Sequence, residues 1–219
     1  MLRIGAEGLA GHVRSVLCLG AHSDDIEIGC GGTVLKLVEA SPDLRVDWVV
    51  LTASGSGQRD AEARDSAAHL LKDASEVRIV VRHFRERYFP YEPEVKEFFD
   101  ELGQQVAPDL VLAPWRGDAH QDHRVVAELA ANTFRDHLIL EYEIPKYDGD
   151  LGRPSVYVHL GQATCQRKVT TIVQCFLSQR DRHWFSEETF WAMLRLRGIE
   201  SRSPSGYAEA FHCRKLVLA

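Results

Sequence analysis

The sequence predicts an α/β chain: a Rossmann-like, doubly wound, mostly parallel sheet with helices on both faces, strand order 3-2-1-4-5 and C-terminal additions. Three observations lead there. Short apolar runs, such as Val16-Leu17-Cys18-Leu19 and Trp48-Val49-Val50-Leu51, alternate with longer stretches of helical spacing, as βαβ units do. The runs are nearly unbroken, as in strands covered on both faces. Polar loops follow the carboxyl ends of several of them.

Taken in order, Ser15 to Gly20 is the first strand, and after a glycine-rich turn its helix runs from Gly32 to Glu39, with Val34, Leu35 and Val38 at helical spacing. Ser41-Pro42-Asp43 is a turn, Arg45 to Thr52 the second strand, and Ser54-Gly55-Ser56-Gly57 a loop. The alanine-rich stretch from Arg59 to Lys72 is a helix, and Glu76 to Val81, rich in β-branched residues, is the third strand. His83 to Pro90 is aromatic and cationic without period, hence a loop, before helical spacing resumes from Glu94 to Val106. Asp109 to Ala113 is the fourth strand, Asp122 to Asp136 a helix with Val125, Val126, Leu129 and Phe134 inward, and His137 to Glu141 the fifth strand. Beyond it come a strand at Ser155 to His159, helices at about Cys165 to Ser178 and Glu187 to Arg197, and a final strand from Phe211 to Leu218. No linker divides the chain, so residues 1–219 read as one domain, a size at which one sizeable core is the default.

Charge narrows the partners. A formal net charge of -6, from 26 basic and 32 acidic residues mixed along the chain, leaves no basic stripe of the kind that follows a phosphate backbone, so nucleic acid is not an expected partner. The five cysteines are scattered and form no CxxC pair, which suits reduced thiols rather than a disulfide framework. No window is long and apolar enough to span a bilayer, and Met1 to Gly5 leads into mixed polar sequence, so a soluble, cytoplasmic protein is expected. The apolar helices near Phe176 and Trp191 suit either a core or a homo-oligomer interface.

Two clusters carry chemistry: His22-Ser23-Asp24-Asp25 after the first strand and Asp118-Ala119-His120-Gln121-Asp122-His123 after the fourth. With order 3-2-1-4-5, strands one and four flank the switch point, where ligands of doubly wound sheets bind, so the clusters should face each other. Catalytic zinc commonly takes three His or carboxylate ligands and leaves a fourth position open, and His22, Asp25 and His123 supply that set. Asp24 is then the general base, His120 the oxyanion stabiliser or acid, and Asp122 the support of an imidazole. Alone, Asp24 and Asp25 suit helix capping equally well; the pairing of two His/Asp clusters favours the metal.

At these residues the chain resembles the LmbE-like or PIG-L-like de-N-acetylase family, zinc hydrolases acting mainly on N-acetylglucosamine-type substrates. Ala21 to Thr33 follows the family motif AHPDDxExGxGGT with Ser23 for proline, and His120-Gln121-Asp122-His123 follows HxDH. The resemblance implies Zn2+, one per chain, with another divalent metal as the alternative, the same roles for the six residues, and an N-acetylated amino-sugar substrate. It also implies that Arg59, in Arg59-Asp60-Ala61-Glu62, contacts that substrate. Trp115, Asp118, Tyr207 and Glu209 are further candidates to line the pocket, beside Tyr88, Phe89, Arg116, Glu141 and Glu143. Competing readings are an amidase acting on another sugar or thiol conjugate, a magnesium-binding phospho-acceptor domain, and a metal-binding protein without catalysis.

Overall fold

The computed structural model describes residues 12–41, 43–53 and 57–217. The opening segment, Pro42 of the expected turn, residues 54–56 of the expected loop and Leu218 of the expected last strand lie outside the described residues. The first five strands are β1 (Ser15–Gly20), β2 (Arg45–Val50), β3 (Glu76–Val81), β4 (Leu110–Pro114) and β5 (Leu138–Tyr142). Between them lie α1 (Asp25–Ala40), α2 (Gly57–Leu71), α3 (Pro93–Gln105) and α4 (Gln121–Thr133). The chain continues through β6 (Val156–His159), α5 (Gln162–Cys175), α6 (Glu187–Glu200) and β7 (Ala208–Cys213).

The sheet order is β3-β2-β1-β4-β5-β7-β6. The first five strands are parallel in the expected order 3-2-1-4-5, and β7 lies antiparallel between β5 and β6. Both faces are covered, which is why β1 is apolar throughout. Val16 and Cys18 face a core with Trp48, Tyr142 and residues of α1, α2, α5 and α6, while Leu17 and Leu19 face one with Phe99, Phe134 and residues of α3 and α4.

Two expectations are corrected. α1 begins at Asp25, not Gly32, so the glycine-rich run is helical rather than a turn. These glycines serve packing: a β-carbon on Gly29 would overlap the Tyr142 ring, and one on Gly32 would overlap Leu160 and crowd the Glu209 carboxylate. The last strand is Ala208–Cys213, shifted toward the N-terminus, because its pairing with Val156–His159 sets its register.

Candidate metal centre

β1 and β4 pair directly, and their carboxyl ends deliver both clusters to one place. His22 lies on the turn into α1, Asp25 is its first residue, and the Asp25 carboxylate accepts the His22 backbone N–H at 2.8 Å. His123 stands in the first turn of α4. Asp24 occupies the N-cap position of α1 yet caps nothing with its side chain, so capping does not explain it.

Three donor atoms converge. His22 Nδ1 lies 3.1 Å from His123 Nε2, and Asp25 Oδ2 lies 3.5 Å from the first and 3.3 Å from the second. Tetrahedral zinc with bonds of ~2.0–2.1 Å requires donors about 3.3 Å apart, so this triangle fits the ion. His120 also presents a ring nitrogen, within 4.8 Å of donors on His22 and His123. Its Nδ1 accepts the Asp122 backbone N–H at 3.2 Å, which leaves Nε2 to carry the proton. His22, Asp25 and His123 form the tighter set, and His120 stands beside them as a donor.

Each imidazole is held from behind. Asp122 Oδ2 lies 3.4 Å from His22 Nε2 and accepts the Arg87 backbone N–H at 2.6 Å. Arg87 adopts the left-handed conformation, φ 67°, and its carbonyl accepts from the Gln121 side chain. The loop before α3 is thereby clipped to the start of α4 at the cost of local backbone strain. Asp118 Oδ2 lies 2.9 Å from His123 Nδ1 and 2.8 Å from the Lys146 ammonium, while its Oδ1 accepts the His120 N–H. Asp118, expected to line the pocket, thus lies against a candidate ligand and the Lys146 ammonium.

The charges follow from this geometry. Burial opposes protonation of His22 and His123, but Asp25, reinforced by Asp122 at the first and Asp118 at the second, outweighs it and lifts them to about 10 and about 9. A cation held by Asp25 would replace those protons. Burial and the neighbouring imidazoles push His120 down to about 4, so it is neutral at pH 7. Burial raises Asp24 above the usual carboxylate range despite Arg59, whereas His123 and His22 overcome burial to hold Asp25 well below it. Asp24 Oδ2 and Asp122 Oδ1 are buried without a hydrogen-bond partner among the described residues.

Arg59 reaches this edge from α2. Its Nε donates to Ser23 Oγ at 2.9 Å, and a terminal nitrogen lies 3.4 Å from Asp24 Oδ1, so the serine that replaces the motif proline anchors the arginine. Phe89 stacks near His22, with ring centroids 6.4 Å apart.

The other candidates stand elsewhere. Glu209 is buried, and its oxygens take the Gly32 and Thr33 N–H groups, the Thr33 hydroxyl and the Lys168 ammonium at 2.6–2.8 Å, which occupies its acceptors. Tyr207 packs on Trp191. Trp115 lies flat on His212, 4.2 Å between centroids, closed in by Gly117 and Gly152. Glu143 bonds Arg197 at 2.5 Å, His212 and the Gly152 N–H, and Glu141 accepts the Arg116 N–H. Lys146 and the Arg87 backbone escaped sequence reasoning. Lys146 could have been noticed as a cation following β5 at the same edge, whereas nothing in the residue type of Arg87 marks its N–H.

Comparison with known proteins bears on the fold and the family. A diacetylchitobiose deacetylase of Thermococcus kodakarensis is 32% identical over 124 residues, 51% of this chain and 46% of that protein, so the chain spans about half of that relative's length. Among solved structures, the N,N'-diacetylchitobiose deacetylase of Pyrococcus horikoshii superposes with a TM-score of 0.71 at 22% identity, covering 93% of this chain and 85% of its own. The 4-carboxy-2-hydroxymuconate hydratase of Pseudomonas putida KT2440 superposes with 0.73 at 17% identity, covering 94% and 98%. One fold thus carries more than one named reaction, and these likenesses establish the fold alone. The family model described as PIG-L, GlcNAc-PI de-N-acetylase, matches residues 17–134, which hold both clusters and more than half of the chain. This chain belongs to the PIG-L de-N-acetylase family.

Proposed function

We propose that this protein is a zinc-dependent N-deacetylase that hydrolyses the acetamide of an N-acetylated amino sugar, releasing acetate and the free amine. The observation that carries the reading is the triangle of His22 Nδ1, Asp25 Oδ2 and His123 Nε2, whose 3.1–3.5 Å edges suit one tetrahedral ion, beside the unpartnered Asp24 Oδ2. His22, Asp25 and His123 hold the metal. Bound there, zinc supplies a Lewis acid that polarises the amide carbonyl and eases deprotonation of water near neutral pH.

The chain's own groups do the rest. Asp24 Oδ2 accepts a proton from the attacking water, and the raised pKa of this carboxyl makes it a better base than an ordinary aspartate. Arg59 fixes the other Asp24 oxygen and faces the substrate beside Ser23. Neutral His120 donates its Nε2 proton as a hydrogen bond to the carbonyl oxygen as charge develops there. The acetyl C–N bond breaks, and the proton taken by Asp24 is passed to the departing nitrogen. Asp122 and Asp118 hold His22 and His123 in orientation.

The test is acetate release from N-acetylglucosamine, diacetylchitobiose and a nucleotide-linked N-acetylhexosamine, with and without chelator, together with metal analysis. Chelator-sensitive turnover and about one zinc per chain are expected. Turnover that persists after complete metal removal would overturn the reading. The same assay with other amide conjugates separates the sugar deacetylase from a broader amidase.

A further inference from the structure

Away from the metal cluster, a pocket of about 380 Å³ opens between the end of α4, the start of β5 and the segment after β7. Its wall carries Arg116, Arg135, Arg214 and Lys215, and among the described residues no carboxylate lines it. None of these four cations lies within ion-pair distance of a carboxylate among the described residues. Arg135 donates from Nε to the Asn132 carbonyl at 3.0 Å, and the Lys215 ammonium bonds the Arg135 carbonyl. These contacts hold the cations in place without neutralising them. Glu141, close by in β5, accepts the backbone N–H of Arg116 rather than its guanidinium.

Two nitrogens are left over. Arg116 Nε and His137 Nδ1 are buried atoms without a hydrogen-bond partner among the described residues, and both belong to residues lining this pocket. A buried N–H without an acceptor carries a desolvation penalty that an incoming acceptor relieves. Beneath the cations, Phe134 and Ile139 add an apolar wall. Four cations in a chain of net charge -6, two unpartnered buried nitrogens and an apolar wall together describe a site for an anion with an organic body.

We propose that this pocket binds a phosphate-bearing small molecule, its phosphoryl oxygens on Arg116, Arg214 and Lys215 and its apolar part on Phe134 and Ile139. The site is separate from the metal centre and does not depend on how that centre works. Arg116 connects them, because it sits two residues before Asp118 on the loop that carries the second cluster.

The test is calorimetric titration of the purified protein with phenyl phosphate, inorganic phosphate and phenol. Phenyl phosphate should bind saturably and more tightly than inorganic phosphate, and phenol should not bind detectably. Arg135→Glu and Arg214→Glu, at exposed positions, should each weaken phenyl phosphate by about tenfold or more while leaving the melting temperature unchanged. Arg116→Gln should weaken it similarly. Absence of saturable binding up to on the order of 10 mM would overturn the proposal, since weaker association carries no specific recognition. It is equally overturned if phenol binds as well as phenyl phosphate, if inorganic phosphate binds as tightly as phenyl phosphate, or if the charge reversals change nothing. Loss of binding with chelator or in His22→Ala would place the anion at the metal cluster and also overturn it.

Discussion

Two groups of buried charge adjoin α1, and they are built differently. Along the helix, Lys168 and Glu209 pair at 2.6 Å, and that carboxylate also takes two helix N–H groups and a hydroxyl. Nearby, Arg197 and Glu143 pair at 2.5 Å. At its N-terminus, His22, Asp24, Asp25, Asp122 and His123 lie together, and among the described residues two of their carboxylate oxygens have no partner. Burial and charge are common to both groups. The Lys168–Glu209 pair is saturated, whereas among the described residues Arg197 keeps a buried Nε, and the metal group two carboxylate oxygens, without a partner. A saturated group braces the fold, whereas an undersaturated one of mixed imidazole and carboxylate has room for a cation and a reactant.

The strongest way to break that contrast is Asp24→Asn, which should keep fold and metal while turnover falls on the order of 10²–10⁴-fold, read by acetate release beside metal content. Full activity in this variant would move the base elsewhere. Glu209→Ala should do the reverse. It leaves the Lys168 ammonium buried without its counter-charge, on the Ile28 carbonyl alone, and should cost about 3–5 kcal/mol in denaturant unfolding.

Metal binding sharpens the contrast from another side. With His22 lifted to about 10 and His123 to about 9, both are protonated at pH 7 without metal. Zinc should therefore release roughly two protons, measurable by calorimetry in buffers of different ionisation enthalpy, and its affinity should rise with pH across neutrality. Release of none would remove the two imidazoles from the ligand set.

The smallest effect belongs to Glu27, buried below the site with its pKa held well up by desolvation. A carboxyl with a raised folded pKa favours the fold only at acid pH, and that contribution is lost as pH rises through the folded value. Glu27→Gln should therefore match the parent in acid and equal or exceed it by up to about 1 kcal/mol at neutral pH, read from thermal unfolding against pH.

The parallel core was legible because continuous apolar runs such as Val16 to Leu19 and Leu110 to Ala113 admit few other readings, and the order 3-2-1-4-5 expected of a doubly wound sheet is the one its first five strands adopt. The meeting of His22, Asp25 and His123 was legible for the same reason. The start of α1 was not, since Gly29 and Gly32 look like a turn until Tyr142 and Leu160 press against them from distant parts of the chain. The surroundings of Glu209 and Asp118 were hidden likewise: each has the residue type of a pocket-lining acid, and its contact with Lys168, or with His123 and Lys146, comes from distant parts of the chain.

The position of β7 has a consequence for how the chain assembles. Among the described residues β6 pairs with β7 alone, and β7 follows it by almost fifty residues, so β6 has no neighbour until Ala208–Cys213 is available. The residues of the metal centre lie between positions 22 and 123 and leave the ribosome long before Glu209 does. During synthesis the site can thus be outlined early, but the brace on its leading helix closes only when the last strand inserts beside β5. That late, long-range closure is the slow step to expect in refolding, and it exposes the edge of β5 to wrong partners until it is complete.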